Sequence, residues 1–339
     1  MQWLPIATLR RIFDQAVLFL PFMMDSQKRG LPVVTVFICL LCLFVYWEQY
    51  TTDKQHSDAV AAFCSETLDT NTLTIHRRIG ERFPGIGCQL IYKTLRDTES
   101  PAERLREIID SIEPLGLFTP INEDRAYMYG LVAERFKRYQ LQVPAPLTAK
   151  LAYDPANPDI RRMLTSTFSH GDVIHLLGNL LFFFIFAASV ELVVGNLLFA
   201  GFIAFATVGT SLGYSYATLG VAQALPTVGL SGVVMAALAA LGVIVPRAQI
   251  RCFFWFLLMF RVFRLPVWLL ALWYIGWDLF ELNRLGATTY VNYASHISGA
   301  VLGVLFGLIC LVFARESITA ATEEYISSED LPLTTLRIR

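Results

Sequence analysis

Ser231 stands in the run "VGLSGVVMAALAA", flanked by Gly229 and Gly232, and His296 stands in "YASHISGAVLGVLFG". Each lies at the edge of an apolar stretch. A serine hydroxyl is a weak nucleophile until a base within about 2.6–3.2 Å takes its proton. Imidazole titrates near neutral pH and suits that task. A third run, "SHGDVIHLLGNLLFFF", carries His170, His175 and Asn179 at its mouth. His175 and Asn179 are four residues apart and share one helix face, so they can point at one place. His170 lies one residue beyond the next turn. Attack on a carbonyl creates an oxyanion that needs preorganised donors. The backbone N–H of Ser231 at a helix start, with the side chains of His175 and Asn179, can supply them. Polar groups are expensive in hydrocarbon, and an ionisable residue there is read first as functional. Losing one oxyanion donor typically lowers turnover by about 10²–10³.

The spacing of small residues brings these groups together. Gly232, Ala236 and Ala240 follow Ser231 at four-residue intervals, and Gly299, Gly303 and Gly307 follow His296 in the same way. Small-xxx-small stripes let two helices approach closely inside a bilayer. Zipping the two stripes places Ser231, one residue before its stripe, near His296, three residues before its own. Taken singly, each piece has a plainer explanation. "GLSG" in a membrane helix is ordinary small-residue packing, and a lone histidine at a span edge is an interfacial or structural residue. Their conjunction on three different segments carries the argument.

Those segments must be membrane spans. Of the 339 residues, 55% are hydrophobic and only 16% charged, which fits a multi-pass membrane protein. The net charge of -1 offers no basic field to nucleic acid. Spanning hydrocarbon takes about 20 mostly apolar residues in a helix. Six candidates result: Leu31–Trp47, Val173–Val190, Leu197–Ala217, Gly229 to just before Pro246, Pro266–Phe280 and Ala294–Phe313. Arg251–Leu265, interrupted by Arg261 and Arg264, reads as interfacial or re-entrant, its arginines reaching headgroups. Residues 1–30 read as an amphipathic interfacial lead-in rather than a removed signal peptide. Residues 314–339 form a polar tail.

Residues 48–160 are a long polar insert between the first and second spans. "SDAVAAFCSETL", "CQLIYKTL", "PAERLREIIDSI" and "INEDRAYMYGLVAERFKRY" space apolar residues at helical intervals, with Pro101 at a first turn. "VPAPLTAKLAYDPANPDI" reads as an extended linker. Basic residues cluster before the first span, between the fourth and fifth, and after the sixth, so both termini are expected in the cytoplasm. The insert and the starts of spans two, four and six then share the outer face. Of six cysteines, Cys39, Cys42, Cys252 and Cys310 lie in or beside apolar runs as small buried thiols. Cys64 and Cys88 can pair if the insert faces an oxidising compartment. No spacing matches a zinc or redox motif. Glu191, at the inner end of span two, is expected to cap or pair locally.

These residues resemble the rhomboid intramembrane serine proteases. "RRMLTSTFSHGDVIHLLGNLLFF" is similar to that family's Arg, Leu-Thr-Ser, then His-x4-His-x3-Asn. "GLSG" and "ASHISGAVLGVLFG" are similar to its Gly-x-Ser-Gly and His-x2-Gly-x3-Gly. The resemblance covers about 161–313 plus the first span. It implies an all-α polytopic membrane protein, a six-transmembrane-helix bundle with a helical soluble insert, and a rhomboid core over 161–313. It implies a serine endopeptidase with Ser231 as nucleophile and His296 as base, a dyad without a carboxylate. His175 and Asn179 would be oxyanion donors, with His170 supporting the mouth. Gly229, Gly232 and Gly299 match motif glycines, and Arg162 matches an arginine of the first outer loop. Substrates would be single-span membrane proteins cut near the outer boundary, with no metal or cofactor. One departure is Met235, where many members carry an aromatic residue beside the base. The insert, long for the family, suggests gating or substrate recruitment.

Two other readings stand beside this one. An inactive relative would bind membrane clients on the same scaffold, but such relatives usually lack the serine or the histidine. A transporter or haem-binding protein would need a polar pathway across the bilayer, whereas the polar residues here gather on one side. The compact polytopic plan favours a bacterial inner membrane.

Overall fold

In a computed structural model of the chain, residues 17–24, 30–98, 100–116, 119–221, 224–256, 259–287 and 289–313 are described. Most are helical. The expected N-terminal lead-in, apart from 17–24 and Gly30, and the polar tail lie outside them. The chain divides into two compact units, Met1–Trp47 with Leu151–Arg339, and Glu48–Lys150.

The larger unit holds the apolar helices. Its first, α1 (Val33–Ser65), continues unbroken past the expected end at Trp47 and into the other unit. Its first turn is capped from elsewhere. Glu191, fully buried, accepts the Val34 N–H (2.7 Å), the Thr35 N–H (2.8 Å) and the Thr35 hydroxyl (2.7 Å). A carboxylate there satisfies orphan amides and complements the helix dipole.

In the smaller unit α2 (Thr70–Arg82), α3 (Cys88–Asp97), α4 (Pro101–Asp110) and α5 (Ile121–Gln142) surround a core of Phe63, Ile75, Tyr92, Leu95, Ile109, Met128 and Tyr139. Cys64 and Cys88 form a disulfide. The proline-rich stretch expected to be extended contains one short helix, α6 (Leu147–Leu151).

Beyond it run α7 (Ile160–Phe168), α8 (Val173–Val194), α9 (Asn196–Ala217), α10 (Ser231–Ile244), α11 (Val267–Leu285) and α12 (Tyr293–Phe313). Asp172 caps α8 by accepting the His175 N–H (2.8 Å). Among the described residues, α1, α8, α9 and α12 are each long and apolar enough to cross a membrane. The expected fourth span, α10, has 14 residues, and every residue from Gly232 to Leu241 is buried. The expected fifth, α11, runs beyond Phe280 and carries Asp278, Glu281 and Arg284.

α10 is the centre of the unit because its backbone is accessible to α12. A Cβ added at Gly299 would collide with the carbonyl oxygen of Gly232, and one at Gly303 with that of Ala236. At Gly307 it would lie 2.7 Å from Val243 Cβ and 3.2 Å from the Ala240 oxygen. The two small-residue stripes therefore meet in the register their spacing predicts, 232 with 299, 236 with 303 and 240 with 307.

The all-α expectation needs one correction. β1 (Val17–Met24), β2 (Gln249–Phe256) and β3 (Met259–Pro266) form an antiparallel sheet in the order β1-β2-β3, with a bulge between Pro21 and Met23. Strands β2 and β3 occupy the stretch read as interfacial or re-entrant, giving it a secondary structure the sequence reading did not assign. Aromatic and β-branched residues fit a pleated surface, and a hairpin closes their backbone hydrogen bonds without a helix.

Candidate functional site

Ser231 is the first residue of α10. Its predecessor Leu230 supplies no side-chain cap, so the leading N–H groups of the helix are available to an incoming acceptor. His296 sits in the first turn of α12, whose start is tied down by Asn292. That residue's Oδ1 accepts the Ser295 N–H (2.9 Å) and its backbone oxygen accepts the His296 N–H (3.1 Å). Its amide donates to Thr227 Oγ1 (3.2 Å), linking α12 to the loop ahead of Ser231. Thr227 in turn exchanges two backbone hydrogen bonds with Tyr153 (2.8 and 2.9 Å). With the glycine stripes packed, His296 Nε2 lies 2.7 Å from Ser231 Oγ. This is the nucleophile–base separation that the spacing argument requires.

The other end of the same ring is also engaged. His296 Nδ1 lies 2.8 Å from Asp278 Oδ2 on α11, and both side chains are nearly buried. Tyr293 meets the imidazole edge-on, with ring centroids 6.1 Å apart. A dyad without a carboxylate was expected; the geometry instead shows a serine–histidine–aspartate chain. Asp278 was missed because "GWDLFELNRL" reads as the charged end of a span. Asp278 lies one turn beyond Tyr274 on the same helix face, but so does the buried Glu281, two turns beyond, which binds Arg284 instead (2.6 and 3.2 Å), so spacing alone does not single Asp278 out.

His175 and Asn179 reach the site from α8. Gly229 has φ +127°, and a Cβ added there would lie 2.8 Å from both Cε1 and Nε2 of His175 and 3.8 Å from Asn179 Nδ2. Only glycine allows the chain this turn and this closeness. The Gly229 N–H donates to the Ser166 oxygen (2.9 Å), fixing the loop against α7. The Gly171 N–H donates to His175 Nδ1 (3.4 Å). An imidazole that accepts at Nδ1 carries its proton at Nε2, the atom turned toward residue 229. One N–H of Asn179 donates to the His175 backbone oxygen (2.9 Å), leaving the second amide hydrogen for another acceptor.

These side chains open on a cavity of about 740 Å³. Its lining includes the polar side chains of Ser231, His296, Asp278, His175, Asn179 and Asn292 and the larger apolar ones of Phe182, Phe186, Met235 and Leu238, with Tyr274. The arrangement can activate a hydroxyl beside donors suited to a developing oxyanion. His170 is buried and packs its ring against that of His175, centroids 5.3 Å apart, behind the cavity wall. Burial, with the neighbouring imidazole second, holds it down at about 3. Gly232 and Gly299 belong to the helix contact; a Cβ on Gly232 would lie 2.6 Å from Ser295 Oγ. Arg162 is exposed on α7 and does not line the cavity. Among the described residues no cluster of His, Cys, Asp and Glu could hold a metal ion.

Compared with curated proteins and with solved structures, the chain finds no match. Residues 157–313 match the family model described as Rhomboid domain.

Proposed function

We propose, from the premise that residues 157–313 place this chain in the rhomboid family, that it hydrolyses peptide bonds within membrane-spanning segments. It is an integral membrane protein by that domain and its apolar helices. The observation that supports the reading most is the 2.7 Å approach of His296 Nε2 to Ser231 Oγ.

Ser231 Oγ attacks the scissile carbonyl carbon as its proton passes to His296 Nε2. The carbonyl π pair moves to oxygen, where the Ser231 N–H, His175 Nε2–H and Asn179 amide donate to it. As the oxyanion collapses the C–N bond breaks, and the imidazolium gives its proton to the leaving amine. Water then attacks the acyl carbon, giving its proton to Nε2, and the ester bond to Ser231 breaks as Oγ recovers a proton.

The fold supports a membrane-embedded substrate. A helix of 14 residues rises about 21 Å, short of the roughly 30 Å hydrocarbon core. A helix this short leaves room for its N-terminus, and Ser231 with it, to lie below the membrane surface rather than at it. The cavity is lined by Ser231, His296 and their polar neighbours together with large apolar side chains, which suits a single-span segment locally unwound at a small residue. The Cys64–Cys88 disulfide fits an oxidising compartment for residues 48–160, and both termini then lie in the cytoplasm. A bacterial inner membrane meets these conditions.

The test is cleavage of a single-span reporter by the full chain in liposomes. Ser231→Ala and His296→Ala are each expected to lower turnover by about 10³ or more. Wild-type turnover in either variant refutes the assignment.

A further inference from the structure

We infer that Asp278 is a positioning residue for the reaction: its carboxylate holds His296 in the tautomer and orientation that present Nε2 to Ser231, completing a serine–histidine–aspartate triad. The inference deepens the hydrolase reading and rests on it.

Three buried or nearly buried carboxylates occur in the apolar helices α8 and α11, and each needs a reason, since a charge there is costly. Glu191 caps α1, as described above. Glu281 binds Arg284. Asp278 has neither use. Its Oδ2 meets an imidazole nitrogen at 2.8 Å, and the other nitrogen of that ring faces the candidate nucleophile.

The consequence follows from what each group can do. A carboxylate only accepts hydrogen bonds, so the proton on His296 sits on Nδ1 and the lone pair is on Nε2. Ser231 Oγ–H can then donate to Nε2, and only this tautomer accepts the serine proton. The edge-on contact with Tyr293 limits the ring's tilt but does not choose between its two nitrogens. When the serine proton arrives, the imidazolium forms beside a fixed negative charge in a site walled by apolar side chains, where such an interaction is stronger than in water. In this scheme the proton stays on the imidazole, and Asp278 acts by orienting the ring.

The experiment compares Asp278→Asn, Asp278→Ala, Ser231→Ala and His296→Ala in full-length protein in liposomes. It reads kcat and KM on a single-span reporter, thermal unfolding, and the response to added formate. Asp278→Asn keeps the shape but loses the charge. It is expected to lower kcat by about 10²–10⁴ with KM within about twofold and unfolding unchanged. Formate, entering from the open cavity, is expected to raise the rate of Asp278→Ala several-fold and to leave His296→Ala unchanged. Wild-type kcat in both Asp278 variants, with Ser231→Ala and His296→Ala inactive, removes Asp278 from the mechanism and leaves the hydrolase reading standing. Lost turnover that formate does not restore, with a lowered unfolding temperature in both variants, makes Asp278 a helix-packing residue and also overturns the inference. Activity surviving in Ser231→Ala, or absent from the wild type, overturns the hydrolase reading first.

Discussion

His170 shows how one side chain shapes another without entering the cavity. Its ring lies edge-on to His175, and burial keeps it neutral, near 3 rather than the ordinary value of about 6.5. The folded value is below the unfolded one, so the folded state resists protonation. Its stability is complete above about pH 6.5 and falls as pH drops from there toward about 3. The unfolding temperature in detergent is expected to decline across that window, and His170→Gln to flatten the decline. An unchanged slope in that variant would assign the acid sensitivity elsewhere. At this scale the sequence was largely legible. Ser231, His296, His175 and Asn179 each carry a chemically distinctive group at an apolar edge, and the structure brings all four to one cavity. Asp278 was not legible, because a carboxylate among Glu281 and Arg284 near a span end has an ordinary use as a surface charge.

At the scale of elements, the helix pair α10 and α12 sets the site. Glycine at 299 and 303 lets α12 lie directly on the carbonyls of Gly232 and Ala236. Val at position 303 would push the helices apart by overpacking, costing about 1–3 kcal/mol, and would carry His296 away from Ser231. Gly303→Val is expected to lower both the unfolding temperature and reporter cleavage; a variant with wild-type turnover would show that the site does not depend on this contact. The stripes were readable because four-residue spacing of small residues has few other purposes in an apolar helix. Strands β1 to β3 were not, since short aromatic runs interrupted by arginine satisfy an interfacial stretch and a hairpin equally. Their pairing joins residues 17–24 to 249–266, a long-range choice that local pattern does not encode.

For the whole molecule, a helical unit spanning Glu48–Lys150 and a larger unit bearing the apolar helices have separate cores. Helical periodicity revealed most of the smaller unit's helices, but not that α1 continues into it without a break. A change from apolar to polar residues after Trp47 marks where the surroundings change, which need not end a helix. The account of the molecule as a hydrolase depends on Ser231 being a nucleophile activated by His296. The most direct measurement is mass spectrometry of the full chain after treatment with a fluorophosphonate in its membrane. The account predicts a covalent adduct on Ser231, and a labelling rate that falls by at least about 10² in His296→Ala. An intact, folded protein that stays unlabelled at Ser231, or labels equally fast without the imidazole, would contradict it.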